Sequence, residues 1–225
     1  MTKHLNTIKR PEVNNNLNYS IMVEAKNSSL KRTIPNEITI YINNISGKAN
    51  LKCKLDLKEI QKKVLNAKYN PKKNNFLKMK LNDQKTYAQF YQNGKITCTG
   101  VKSEEKLKKA IIEYDNIIKS CGFDTKLNVE KIVVTNISAS FDIGSTLPLR
   151  KLYSHLAELK ETEVKVYYNS ELYPAITYKK KVDNSNMTLL IYASGKIIIT
   201  GVRKKEHINN LFNHVYPELV KFKNS

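Results

Sequence analysis

The sequence predicts an α+β fold made of two copies of one unit, each a strand, a helix, a set of antiparallel strands and a closing helix. Three observations predict it: ordered internal self-similarity, strands with alternating polar and apolar residues, and helices with a single apolar stripe. The repeat comes first, because missing it would misread the whole chain. Asn44-Ile45-Ser46 recurs as Asn136-Ile137-Ser138, and Tyr69-Asn70 as Tyr168-Asn169. The run from Tyr91 through Gly94-Lys95 to Thr99-Gly100-Val101 recurs from Tyr192 through Gly195-Lys196 to Thr200-Gly201-Val202. Order is kept while the spacing drifts, as it does when only loop lengths differ. The expected units are 35–126 and 127–225, preceded by residues 1–34.

Each element has a local cause. A strand opens each unit, Ile38 to Ile45 and Lys131 to Ile137. In the first unit Asp56 is placed to cap a helix, with Glu59 three residues on and Leu57, Ile60 and Val64 on one side. In the second unit Leu149, Leu152, Leu156 and Leu159 form the stripe. Asn93-Gly94 signals a two-residue hairpin of the type that needs positive φ at both positions, and Ser194-Gly195 takes the same place. Ser103 caps the closing helix of the first unit, with Glu104 and Glu105 at its positive end. Leu107, Ala110, Ile111, Tyr114, Ile117 and Ile118 line its apolar side, and Gly122 stops it. The last helix uses Ile208, Leu211, Phe212 and Val215 and is expected to stop near Pro217. The first 34 residues, rich in Asn, Lys and Ser, read as a flexible tail, with Tyr19, Ile21 and Val23 able to add a stray strand.

Alternation divides the sheet into two faces. Ala88, Phe90, Ile96 and Cys98 share the face that the helix stripes cover. Gln89, Tyr91, Lys95, Thr97 and Thr99 share the other, matched in the second unit by Leu190, Tyr192, Lys196, Ile198 and Thr200. Helices with one apolar stripe cover one side of a sheet. The second face is therefore a binding surface, or a surface covered by the tail or by a second copy of the chain.

Charge narrows the partner. Lys and Arg exceed Asp and Glu by 39 to 20, a net +19. Neutralising phosphates releases condensed counterions, so such an excess favours nucleic acid. Cys53, Cys98 and Cys121 form no Cys-x-x-Cys pair, and His4, His155, His207 and His214 show no ligand spacing. No metal, cofactor or enzymatic activity is expected. No apolar run is long enough for a membrane span, and the N-terminus lacks the pattern of a signal peptide.

Several stretches resemble a known family. Cys53-Lys54-Leu55-Asp56-Leu57-Lys58, Asn66-Ala67-Lys68-Tyr69-Asn70-Pro71-Lys72-Lys73 and Cys98-Thr99-Gly100 are similar to the first repeat of TATA-box-binding proteins. Tyr168-Asn169-Ser170-Glu171-Leu172-Tyr173-Pro174, Leu190-Ile191-Tyr192 and Ser194-Gly195-Lys196 are similar to the second. The resemblance spans roughly residues 36–222. It implies one curved, saddle-shaped antiparallel sheet of ten strands, with four helices on the convex side and the concave side on the minor groove of DNA.

The resemblance also assigns roles. Asn44 and Asn136 match the family's central asparagines, whose amides donate to adenine N3 and thymine O2. Thr99 and Thr200 match groove-facing threonines. Lys73, Lys80, Lys95, Lys179 and Lys196 match positions that reach phosphates. Gln89, Thr97, Ile176, Leu190 and Ile198 complete the implied contact set. The four wedge positions, phenylalanine in the family, are Asn74, Tyr91, Tyr173 and Tyr192 here, with Phe76 two residues beyond Asn74. Ser46 and Ser138 replace two apolar groove residues. Glu171 and Leu172 match a contact to a general transcription factor, although Asn169 departs from the acidic residue usual beside them. The implied function is a transcription initiation factor that bends A·T-rich DNA and recruits RNA polymerase machinery, in a nucleus or a viral replication compartment. Without DNA, a homodimer through the concave face is implied. The alternative is a protein-interaction module of the same fold with weakened DNA binding.

Overall fold

The computed structural model describes residues 22–25, 38–81, 85–159, 161–182 and 185–223. In chain order the elements are β1 (Met22–Ala25), β2 (Thr39–Asn50), α1 (Leu57–Lys63), β3 (Ala67–Lys68), β4 (Phe76–Lys80), β5 (Tyr87–Tyr91), β6 (Lys95–Val101) and α2 (Glu104–Ser120). A short 3₁₀ turn (Val129–Lys131) precedes β7 (Val133–Asp142), α3 (Leu149–Glu158), β8 (Val164–Tyr167), β9 (Ala175–Val182), β10 (Ser185–Tyr192), β11 (Lys196–Val202) and α4 (Lys205–Val220).

Ten strands form one curved, open antiparallel sheet in the order β3-β4-β5-β6-β2-β7-β11-β10-β9-β8, with all four helices on its convex side. The order reads the same from either edge when the repeats are exchanged. β2 and β7 meet at the centre, where Ile45 lies opposite Ile137, Asn44 opposite Ser138 and Ser46 opposite Asn136. That crossed pairing is what a two-fold axis through the Ile45–Ile137 pair requires. Both isoleucines are fully buried.

One core runs beneath the whole sheet. Phe90 meets Tyr114 edge-on at 5.8 Å, and Phe141 meets Phe212 at 5.0 Å. Asp56 caps α1 by accepting from the Lys58 and Glu59 amides, and Ser103 caps α2 by accepting from Lys106.

Several local expectations are corrected. β2 and β7 run on to Asn50 and Asp142, because both are central strands with a partner on each edge. The hairpin after β5 is a three-residue loop: Gly94 donates to the Tyr91 carbonyl at 3.0 Å and has φ +77°, whereas Asn93 keeps negative φ. Asn93 instead accepts from the Lys95 amide. Gly195 repeats the arrangement with φ +86°. Val64 is the extended residue that ends α1. Leu159 follows α3 and is exposed, so the stripe ends at Leu156. α4 runs through Pro217 to Val220, because the buried Tyr216 and Leu219 anchor its last turn. β1 pairs in parallel with β2, Val23 opposite Ile40, on the edge that β6 leaves free. Tyr19, Ile21 and the rest of the expected tail (residues 1–21 and 26–34) lie outside the described residues.

Candidate nucleic-acid interface

The open face is built by alternation. Along β4, Leu77 and Met79 point into the core while Phe76, Lys78 and Lys80 point out. Along β5 and β6 the outward set is Tyr87, Gln89, Tyr91, Lys95, Thr97 and Thr99. In the second half it is Thr177 and Lys179 on β9, Thr188, Leu190 and Tyr192 on β10, and Lys196, Ile198 and Thr200 on β11. Asn44, Ser46, Asn136 and Ser138 are half-buried at the centre.

The central asparagines are held in one orientation. Asn44 Oδ1 accepts from the Gly100 amide at 2.8 Å, and Asn136 Oδ1 accepts from the Gly201 amide at 2.8 Å. Gly100 and Gly201 have φ of +101° and +80°, and an added Cβ would meet a backbone oxygen at 2.2 or 2.3 Å. Glycine is thus required where the amide must turn toward the asparagine. With Oδ1 occupied, each Nδ2 is left as the donor toward the open face. In the first half Nδ2 meets Thr99 Oγ1 at 3.0 Å and Ser46 Oγ at 3.3 Å, and those two hydroxyls lie 2.7 Å apart.

Aromatic pairs stand at both ends of the face. Tyr173 and Tyr192 have ring centroids 6.4 Å apart and tilted by 59°, and their hydroxyls are 2.8 Å apart. That hydrogen bond, with some burial, raises the Tyr192 pKa, so the phenol stays protonated. Phe76 and Tyr91 have centroids 5.8 Å apart and tilted by 58°. Asn74 is the backbone counterpart of Tyr173. Asn74 donates to the Asn70 carbonyl and Tyr173 to the Asn169 carbonyl, each at 2.9 Å. The ring beside Tyr91 comes from Phe76, its cross-strand partner.

Ile176 does not reach this face. It lies opposite Ile191, both are fully buried, and cross-strand partners share a face. Thr177, opposite Leu190, takes the outward place. Glu171 and Leu172 occupy the turn before β9, with Leu172 82% exposed. Asn169 accounts for that turn: its Oδ1 accepts from the Glu171 amide, as Asn70 Oδ1 does from Lys72.

The lysines flank the face at both edges. Lys68 lies directly opposite Lys78, and Lys165 directly opposite Lys179. Like charges in facing positions destabilise a strand pair unless an anion bridges them. Lys80 sits 5.7 Å from the Tyr87 ring and Lys179 5.6 Å from the Tyr167 ring. Lys73, Lys95 and Lys196 are exposed.

A duplicated, pseudo-symmetric sheet with one face left uncovered among the described residues is the decisive feature, and comparison with known proteins agrees with it. Residues 39–121 and 131–222 each match the family model described as transcription factor TFIID, or TATA-binding protein. The chain belongs to the TATA-box-binding protein family. It is 37% identical over 192 residues to TATA-box-binding protein 1 of Triticum aestivum, covering 85% of this chain and 78% of that one. It is 38% identical over 190 residues to TATA-box-binding protein 1 of Arabidopsis thaliana, covering 84% and 90%. The solved structure of Methanococcus jannaschii TBP superposes with a TM-score of 0.67 at 25% identity, covering 81% of this chain and 98% of that one. The family is one of DNA-binding transcription factors rather than enzymes.

Seen as a TATA-box-binding protein, the chain carries open-face residues that its short motifs did not reveal: Lys68, Lys78, Lys165, Tyr87 and Tyr167. Lys78 was accessible by counting two residues on from Phe76. Lys165 was not, because β8 has only four residues, too few for alternation to fix a face.

Proposed function

We propose that this chain binds A·T-rich, TATA-like double-stranded DNA through the minor groove, bends it, and serves transcription initiation in the nucleus. The carrying observation is the pair of central asparagines, each with its side-chain oxygen held by a glycine N–H, which leaves the NH₂ group as the donating end. The minor-groove edge of A·T and T·A pairs offers only acceptors, adenine N3 and thymine O2. Two fixed donors related by a two-fold axis suit a site of four such acceptors. The lysine rows supply phosphate contacts that set affinity and salt dependence without choosing sequence.

Bending follows from the two aromatic pairs. Tyr173 with Tyr192, and Phe76 with Tyr91, act as wedges that partly unstack the first and last steps of the site. Their separation at opposite ends of the sheet turns two local kinks into one bend. Glu171 and the exposed Leu172 form the contact for a general transcription factor, beside a wedge rather than beneath the DNA.

Selection of bound duplexes from a random pool tests this reading. Enrichment of runs of A·T pairs supports it; recovery of a pool with unchanged base composition overturns it.

A further inference from the structure

We infer that the two halves of the interface do not demand the same bases: the first half accepts a G·C pair that the second half rejects. The inference rests on the minor-groove reading above and concerns which residue pair reads each half-site.

The two-fold axis makes the comparison direct. Gln89 on β5 lies opposite Thr97 on β6, and their symmetry mates, Leu190 and Ile198, lie opposite each other on β10 and β11. All four are half-buried on the open face. In each half the pair sits between the aromatic wedge and the central asparagine. The surroundings in the first half are polar as well. A concavity of about 430 Å³ is lined by Gln89, Thr97, Thr99, Ser46, Thr135 and Lys78, among others.

The chemistry of the two places differs. Guanine is distinguished in the minor groove by one group, its 2-amino donor. Against Leu190 and Ile198 that donor loses its water and gains no partner, which is how a site built of apolar side chains excludes it. In the first half Gln89 Oε1 and Thr97 Oγ1 are acceptors. Thr97 donates its hydroxyl hydrogen to Gln89 Oε1 at 3.3 Å, which leaves the Thr97 lone pairs unspent. Tyr91 also donates to Gln89 Oε1 at 3.3 Å. When the Tyr91 ring enters a base step its hydroxyl is drawn away, and a second acceptor position on Gln89 opens. A guanine amino group then has partners at the place where Leu190 and Ile198 offer none in the other half. The consequence is polarity: on a site with one G·C pair, the first half docks over that pair.

Anisotropy titrations of the full chain with labelled duplexes test this. The series contains an all-A·T site, the same site with one G·C pair between wedge and centre, and the site with one such pair in each half. We expect the single-G·C site to bind within about threefold of the all-A·T site, and the double-G·C site to bind at least tenfold more weakly. Replacing one guanine of the double site by inosine, which lacks the amino group, restores the single-site affinity. In the Gln89→Leu/Thr97→Val double variant the ratio of all-A·T to single-G·C affinity rises to at least ten. A tenfold loss already on the single-G·C site in the unaltered chain overturns the inference while leaving minor-groove reading intact. Equal binding of all three duplexes overturns the minor-groove reading itself.

Discussion

The hydroxyls of Tyr173 and Tyr192 lie 2.8 Å apart at one end of the open face. Each satisfies the other while the face is bare, and both lose that partner when the rings part between bases. Tyr173→Phe/Tyr192→Phe removes the requirement. We predict that this double variant binds an A·T-rich duplex several-fold more tightly than the unaltered chain, measured by anisotropy. Weaker binding would mean that the hydroxyls find partners on the DNA.

We propose that the wedge at the other end is Phe76 with Tyr91, whose rings pair, rather than Asn74. Fluorescence transfer across an end-labelled duplex should show Phe76→Ala and Tyr192→Ala each reducing the bend, and Asn74→Ala having little effect. A larger loss from Asn74→Ala than from Phe76→Ala or Tyr192→Ala would contradict the assignment.

The repeat made the fold legible, and its limits explain what was missed. Duplicated Asn-Ile-Ser and Gly-Lys segments reveal the shared succession of elements and the open face, because alternation from Tyr91 or Tyr192 carries across a whole hairpin. Phase was lost where the chain enters β9. Pro174 precedes the strand, so nothing local says whether Ala175 or Ile176 points inward; only the register with Ile191 does. The end of α4 was hidden for a similar reason. Pro217 removes one backbone donor, but the burial of Leu219 keeps the helix going, and burial is a tertiary fact. Asn74 keeps the backbone place of Tyr173 while the ring beside Tyr91 comes from Phe76, an arrangement that position-by-position matching cannot see.

The central asparagines make a charge-sensitive prediction. Asn136→Asp keeps the acceptor for the Gly201 amide but replaces the donor with a negatively charged oxygen facing groove acceptors and phosphates. Affinity for A·T-rich DNA should fall by at least a hundredfold, with the thermal midpoint of the free protein little changed. Binding within tenfold of the unaltered chain would remove Asn136 from the interface.

Phosphate contacts are separable by salt. Lys196→Ala should lower the slope of log K against log salt by about 0.9, and reduce affinity alike for A·T-rich and G·C-rich duplexes. An unchanged slope would show that the exposed Lys196 ammonium touches no phosphate.

A carboxyl on the convex side gives a pH signature. Burial pushes the Glu218 pKa up, but hydrogen bonds and charges from Lys221 and His155 outweigh it and hold the group below its ordinary value. A carboxyl depressed on folding adds stability at pH values above its unfolded pKa, about 4.3, and loses it as pH falls through the folded value. Urea midpoints should therefore be higher for the unaltered chain than for Glu218→Gln at pH 7, and the gap should close below about pH 4. A gap that persists at lower pH would exclude the carboxylate as its source.

The central claim is that the uncovered face reads and bends the minor groove. Energy transfer between dyes at the two ends of a short duplex tests it most directly. On adding the protein, the ends of an A·T-rich duplex should draw together, while those of a G·C-rich duplex of equal length stay apart. Equal end-to-end distances for the two duplexes at saturating protein would contradict the account.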